Sequence, residues 1–423
     1  MTERPHIRQV VLASFIGTTI EWYDFFLYGT AAALVFNKLF FPNVDSLTGT
    51  LSAYGTFAIG FVARPLGGAV FGHYGDKVGR KAMLVWSLLL MGVATALIGL
   101  LPTYATLGVW AAVLLTMVRF VQGIGVGGEW GGAVLMAVEH SSRGRRGFHG
   151  SWPQMGVPAG LLLSTGVFAL FSTVLSEQQF LAWGWRIPFL LSTVLIGVGL
   201  FIRLRIIESP AFSKLKETGS EVRFPLRDLL REHPRNLLVG MGMRFAQNVL
   251  FYLYSVFVLS YGQTVLHQSK NTMLAGVAIA SVIGLFTTPL FGALSDRVGR
   301  RPVYLAGAIL SLLYCFPFFW LVGQGSVLMV WLAIVLGMNV GHDMMYGVQA
   351  AYFSELFGTH VRYSGASLVY QLTSVFSGGL APFIATWLLA RHGPSAVAGY
   401  MSLACGLSVV AAWFAPEAYR QEV

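Results

Sequence analysis

Apolar stretches long enough to cross a lipid bilayer recur along the whole chain, and this dictates most of what it can fold into. A hydrocarbon core of ~30 Å takes about 20 helical residues. Such stretches lie at about 9–36, 48–72, 82–101, 107–139, 148–174, 184–207, 236–262, 271–294, 302–322, 326–355, 363–390 and 395–415. Twelve transmembrane helices are therefore expected, in an all-α membrane protein. Composition agrees: 55% of the residues are hydrophobic and only 11% are Asp, Glu, Lys or Arg, against roughly 25% charged in soluble domains. So few charges could not cover the apolar surface of a soluble fold of this size. A cytosolic enzyme, a disordered chain and a disulfide scaffold are excluded. The first stretch is too long for a signal peptide, carries Glu21 and Asp24, and has no convincing cleavage site. Cys315 and Cys405 sit in apolar stretches and read as small core residues, with no disulfide or metal implied.

A net charge of +10 and a pI near 9.7 would suggest nucleic-acid binding in a soluble protein. Here the placement of the basic residues gives them another meaning. Lys38, Arg186, Lys270 and Arg391 fall on one side of the membrane, Arg64, Arg119 and Arg244 fall inside spans, and every other Lys and Arg falls on the opposite side. By the positive-inside rule that side is cytoplasmic, together with both termini. The only long connection, Glu208–Arg235, is rich in both charge signs. It reads as a solvated, partly helical cytoplasmic linker dividing the chain into six-span halves, 1–207 and 236–423.

The halves repeat one another. Gly72-His-Tyr-Gly-Asp76-Lys-Val-Gly79-Arg80-Lys81 follows span 2, and Gly292-Ala-Leu-Ser-Asp296-Arg-Val-Gly299-Arg300-Arg301 follows span 8. The separation of about 220 residues is the mark of an internal repeat. Glu139 and Arg146 after span 4 match Glu355 and Arg362 after span 10, and Glu208-Ser-Pro210 after span 6 matches Pro416-Glu417 after span 12. Small Gly72 and Gly292 permit close helix approach. Asp76 and Asp296 are placed to cap the start of the following helix, while the arginines can reach Glu139 or Glu355. Asp76, Arg80, Glu139 and Arg146, with Asp296, Arg300, Glu355 and Arg362, are thus candidates for a cytoplasmic gate that closes in one state and releases in another.

These motifs resemble the major facilitator superfamily over essentially the full length. Arg119-Phe-Val-Gln122-Gly-Ile-Gly-Val-Gly-Gly-Glu129, Trp185-Arg186, Glu208-Ser-Pro210 and Glu355…Arg362 are similar to the sugar porters and the related metabolite:proton symporters. Glu21-Trp-Tyr-Asp24-Phe and Ala63-Arg64-Pro65 resemble the metabolite:proton branch. His342-Asp343-Met…Gln349…Phe353-Ser-Glu355-Leu-Phe-Gly, Arg362-Tyr-Ser-Gly and Tyr370-Gln371 resemble its shikimate permeases. The resemblance implies two pseudo-symmetric six-helix bundles, alternating access, and a substrate site near the midplane.

Charges within spans are costly, so each is a functional candidate. Glu21 and Asp24 lie roughly one turn apart on span 1. A carboxylate that alternately faces an arginine and water or substrate would load and release a proton, and Arg119 on span 4 is the partner to expect. The resemblance gives an acid on span 1 and an arginine on span 4 this role in sugar/proton symporters; whether Asp24 or Glu21 carries the proton stays open. Arg119, Gln122 and Glu129 form a polar stripe on span 4. Gly123-x-Gly125-x-x-Gly128 matches a dinucleotide fingerprint but lies inside a span, where close helix packing explains it better. No cofactor is expected.

Arg244 and Asn248 share a face of span 7, and a buried guanidinium suits a carboxylate, which argues for an anionic substrate; pairing of Arg244 with Asp343 is the alternative. Asn339, His342, Tyr346, Gln349 and Phe353 form a stripe on span 10 suited to a polyhydroxylated ring. His342 is equally readable as a packed neutral side chain or as a proton site with Asp343. Gln154 matches a substrate-contacting glutamine of the sugar porters, and Tyr28, Trp130, Trp152, Tyr252, Tyr370 and Gln371 are candidate cavity linings. The expected substrate-binding set is therefore Arg119, Gln122, Gln154, Arg244, Asn248, His342, Asp343, Gln349, Tyr370 and Gln371.

The leading expectation is a monomeric transporter in a bacterial inner membrane, importing a small hydroxylated organic acid, shikimate-like by resemblance, together with protons. Other carboxylates such as 2-oxoglutarate or citrate, and zwitterions such as betaine or proline, are alternatives. A membrane enzyme lacks any recognisable catalytic motif here, and a sensor lacks a large soluble domain.

Overall fold

The structure, a computed structural model, describes residues 7–78, 80–127, 130–139, 141–205, 231, 233–357 and 362–417. These residues form twelve helical rods: α1 (7–40), α2 (Ser46–Val78), α3 (Arg80–Leu100), α4 (Val109–Val126 and Trp130–Glu139), α5 (Arg146–Val174), α6 (177–205), α7 (234–264), α8 (Lys270–Val298), α9 (Arg300–Val322), α10 (327–355), α11 (362–392) and α12 (Pro394–Phe414). Each apolar stretch of the sequence has its rod. Nearly all of the linker 208–235 lies outside the described residues.

Two boundaries differ from the sequence reading. The motifs at Gly72–Asp76 and Gly292–Asp296 do not follow their spans but form the last turns of α2 and α8. Helix α8 stops one residue before α9, at Gly299, whose φ of 110° is open to glycine and strained for other residues. Asp296 therefore cannot cap α9. The carboxylate of Glu417 does so instead, accepting from the Arg300 and Arg301 N–H groups, both at 3.0 Å.

Several rods are interrupted by π-helical turns, at Ala32–Phe36 in α1, Leu253–Phe257 in α7, Gly337–His342 in α10 and Val375–Gly379 in α11. A π turn inserts a residue and rotates everything beyond it. Those in α1 and α7 occupy matching positions of the two halves, so the repeat extends to helix geometry. Rod α6 bends by 45° between Gly184 and Arg186.

Burial is inverted relative to a soluble protein. Trp86, Trp110, Phe286, Leu313, Trp320 and Leu403 are exposed on the outside, while Arg64, Arg119 and Arg244 are almost wholly buried. Bilayer is the solvent that makes this pattern favourable. Helices approach closely where glycine permits: a Cβ on Gly123 of α4 would run into the Gly60 carbonyl of α2. Gly123 and Gly125 are packing residues within a continuous helix.

The halves meet along α5–α8 and α2–α11. At their centre is an aromatic cluster in which Tyr252 of α7 faces Phe25, Phe57 and Phe61 at ring separations of 6.3, 5.8 and 5.2 Å, within the range of favourable ring pairs. Phe26 and Phe251 add a contact at 5.4 Å.

Candidate functional site

The C-terminal half carries a continuous hydrogen-bonded chain. Arg244 on α7 is 1% exposed. Its Nε donates to the Tyr370 carbonyl (3.3 Å), Nη1 to Gln247 (3.1 Å) and Gln349 (2.8 Å), and Nη2 to the Ser374 hydroxyl (3.2 Å). All four partners are neutral. Because Arg244 occupies Oε1 of Gln247, the amide nitrogen of that residue turns to His342 Nε2 at 2.8 Å. An amide nitrogen only donates, so Nε2 accepts and the imidazole proton sits on Nδ1, 2.9 Å from Asp343 Oδ1. The other Asp343 oxygen accepts from Asn339 at 3.0 Å and from the Thr287 hydroxyl. Arg244 and Asp343 thus do not pair directly; Gln247 and His342 stand between them. A direct pair was one sequence expectation, and the missed intermediary, Gln247, lies one helical turn from Arg244.

Trp130 joins this chain from the N-terminal half. Its indole stacks on Tyr370 with ring centres 3.9 Å apart and planes at 19°, while the Arg244 guanidinium lies 3.3 Å from the same ring centre. Both cannot occupy one face, so Tyr370 is sandwiched between them. Trp130 donates to Gln154 (2.9 Å), whose amide reaches the Tyr346 carbonyl of α10 at 3.3 Å. Gln371 donates to the Gly127 carbonyl of α4 at 3.0 Å. Around this bridge the Tyr346 hydroxyl, Gln349 Nε2 and Gln371 Oε1 are buried without a hydrogen-bond partner among the described residues. Such atoms carry a desolvation cost that a polar ligand can relieve.

The N-terminal half is built differently. Arg119 donates to Gln122 Oε1 at 2.5 Å, and Gln122 passes the contact to the Thr95 hydroxyl (2.7 Å) and the Asp24 backbone carbonyl (3.4 Å). The Asp24 side chain is fully buried, and neither of its oxygens has a hydrogen-bond partner among the described residues; the Thr95 and Ser192 hydroxyls are nearby. Asp24 and Arg119 are both central, yet they form no ion pair in this conformation. The Arg119 guanidinium instead lies over Tyr28 (4.2 Å) and Phe25 (4.3 Å), leaving Nε and Nη2 without a hydrogen-bond partner among the described residues. Glu21 is 3% exposed on the same helix. Asn248, one turn along α7, donates to Ser377 of α11 at 2.9 Å, as Arg244 does to Ser374.

At one end of the bundle, Arg300 bridges Asp296 (2.8 Å) and Glu355 (3.1 Å through both Nε and Nη2). Asp296 also accepts from the Gly147 and Phe148 N–H groups, each at 2.8 Å. It caps the start of α5 across the interface between halves, not the helix that follows it. Arg146 is buried close enough to Glu355 to interact electrostatically. The side chains of Asp76, Arg80, Glu139 and Arg362 lie outside the described residues, as does Glu129. At the opposite end the Tyr54 and Ser260 hydroxyls meet at 2.9 Å, and Asn271 binds Thr173 at 3.0 Å and Ser172 at 2.7 Å. The halves therefore touch at both ends and enclose the polar centre.

Comparison with known proteins agrees with this geometry. The family model described as Major Facilitator Superfamily matches residues 14–378. An inner membrane metabolite transport protein of Escherichia coli (strain K12) is 42% identical over 98% of this chain and 95% of its own length. A shikimate transporter of the same organism is 41% identical, again over 98% and 95%. Among solved structures, a proton:xylose symporter bound to 6-bromo-6-deoxy-D-glucose superposes with a TM-score of 0.77 at 18% identity, covering 97% of this chain and 96% of that one. At that identity it shares the fold.

Proposed function

The chain belongs to the major facilitator superfamily, and from that premise we propose that it is a proton-coupled symporter importing a small hydroxylated carboxylate, most closely shikimate, by alternating access. It is a multi-pass membrane transporter of small molecules and not an enzyme.

One observation carries the carboxylate assignment: Arg244, buried behind Tyr370 in the C-terminal half, has only neutral hydrogen-bond partners among the described residues. A guanidinium with no anion beside it is an expensive resting arrangement, and a substrate carboxylate would satisfy it with charge-assisted bonds. The free amide and phenol groups of Gln349, Gln371 and Tyr346 are the donors and acceptors that ring hydroxyls would engage. A relative named as a shikimate transporter, aligned over nearly the whole length, supports the same cargo. A quaternary ammonium such as betaine would meet the Arg244 charge unfavourably.

Asp24 is the proton carrier in this reading. Its carboxyl is buried and apart from Arg119, as a protonated acid would be; on release of the proton the anion would turn to Arg119. Arg119, Gln122 and Glu21 complete the coupling group, while Gln154, His342, Asp343 and Tyr370 shape the substrate site with Arg244. Residues 1–207 and 236–423 rock as two halves joined by the cytoplasmic linker 208–235, and the Asp296–Arg300–Glu355 cluster with Arg146 closes the cytoplasmic side. The bias of Lys and Arg supports cytoplasmic termini, a bacterial inner membrane supplies the proton gradient, and one chain encloses the whole site, as a lipid-embedded monomer would.

Shikimate added to sealed proteoliposomes holding the purified protein should drive proton uptake, read as alkalinisation of the external medium. Shikimate flux without proton movement would refute coupling, and no flux of shikimate would refute the cargo.

A further inference from the structure

Arg64 of α2 has no place in the arrangement above, although a buried cation demands one. It is 1% exposed. Its guanidinium lies over Phe25 (4.1 Å), Phe61 (4.3 Å) and Trp22 (5.4 Å), and its Nε and Nη2 have no hydrogen-bond partner among the described residues. Tyr252 and Tyr370 of the other half are beside it, and it is within electrostatic reach of Glu21 on α1 and of Arg244. Two guanidiniums, one from each half, thus face a shared interior lined by Tyr252 and Tyr370. Their repulsion in a medium of low dielectric is costly, and an anion between them reverses its sign.

We propose that Arg64 is a second anchor for the substrate carboxylate, holding one oxygen from α2 while Arg244 holds the other from α7. This rests on the carboxylate reading above and adds to it a determinant of specificity and a reason for closure. Glu21 offsets part of the charge of Arg64, but with the substrate anion absent Arg64 and Arg244 still repel across the interface; with it bound, the carboxylate ties the halves. A ligand whose carboxylate is flanked by its own positive charge would bring that charge to the arginines, so carboxylates without a neighbouring cation are preferred over zwitterions.

The test is a double-mutant cycle on shikimate binding, measured by isothermal titration of the full-length protein in nanodiscs. Arg64→Gln and Arg244→Gln should each raise Kd by about tenfold or more, as expected for loss of one charge-assisted contact. If both grip one carboxylate, the double variant should bind only a few-fold more weakly than the worse single variant, because shared partners make effects non-additive. Arg64→Lys, which retains the charge, should recover part of the affinity. Multiplicative effects, or an Arg64→Gln protein that binds as the wild type does, would overturn the proposal while leaving the carboxylate reading intact. A wild-type protein that binds no shikimate would overturn both.

Discussion

The two halves of this transporter repeat one another in motif and helix geometry, yet they hold their buried charges in opposite ways. In the C-terminal half the charges are wired together: Arg244, Gln247, His342, Asp343 and Asn339 form an unbroken chain of hydrogen bonds. In the N-terminal half neither Asp24 oxygen and only one of the three Arg119 nitrogens has a hydrogen-bond partner among the described residues. A connected hydrogen-bond network resists rearrangement and changes little through a cycle. An unsatisfied acid in an apolar site is poised to change its protonation state, because small changes in surroundings shift the balance between its two forms. The difference teaches a division of labour, with a fixed receptor in the C-terminal half and a mobile charge in the N-terminal half.

The harshest way to break this contrast is to remove the mobile charge. Asp24→Asn should abolish uphill accumulation of shikimate, because Asp24 is the acid that cycles the proton in this reading. Counterflow exchange, which needs no net proton movement, should persist. Full accumulation by the variant under an imposed pH gradient would eliminate Asp24 as the carrier.

Second in size is loss of the fixed anchor. Arg244→Lys keeps the charge but not the planar fork that reaches Gln247, Gln349 and Ser374 together, so its KM for shikimate should rise by roughly tenfold. Turnover at saturating substrate should fall much less. A larger loss of turnover than of affinity would mean that Arg244 moves during transport, against the fixed-receptor view.

The contrast itself was only half visible in the sequence. Length and apolarity fixed the twelve helices, and the intramembrane charges marked Asp24, Arg119 and Arg244, because hydrocarbon tolerates few ionisable groups and each stands out. Partnerships were harder to read. Gln247 and Ser374 are ordinary polar residues until geometry brings them to Arg244, and Arg64 was legible as a buried cation but not as a neighbour of Arg244. Asp296 was misread as a cap on its own next helix because its span was ended too early; the last turn of α8 carries it across to α5. Helix register around Asn339 and His342 was also beyond simple periodicity, since a π turn over Gly337–His342 rotates one part of α10 against the other.

The wiring of the C-terminal half can be tested at its middle link. His342→Phe preserves the ring beside Tyr346 and Phe251, which lie 5.5 and 5.2 Å from it, but severs Gln247 from Asp343. Leaving buried polar groups unpaired costs ~1–3 kcal/mol each, so thermal unfolding of the purified protein should occur several degrees lower. Shikimate affinity should fall only a few-fold, as Gln349 and Ser374 still position Arg244. Unchanged stability would show the chain to be dispensable.

The smallest effect should come from the aromatic contact that joins the two kinds of half. Trp130 and Tyr370 stack across the interface, and Trp130 also donates to Gln154. A ring pair contributes about 0.5–1.5 kcal/mol beyond the area it buries, so Trp130→Phe, which retains a ring but loses the N–H, should shift the balance between closed and open forms by only a few-fold. Trp130→Ala should shift it further. With spin labels on the exposed residues Leu47 of α2 and Leu328 of α10, the distance distribution should broaden in the order wild type, Phe, Ala, and shikimate should narrow it again if the substrate ties the halves together. Identical distributions in all three proteins would show that the closed form is held by the other contacts between the halves, such as the Arg300 cluster, the Tyr54–Ser260 contact and the Asn271 hydrogen bonds, and that the mobile and fixed halves communicate through the substrate without help from this stack.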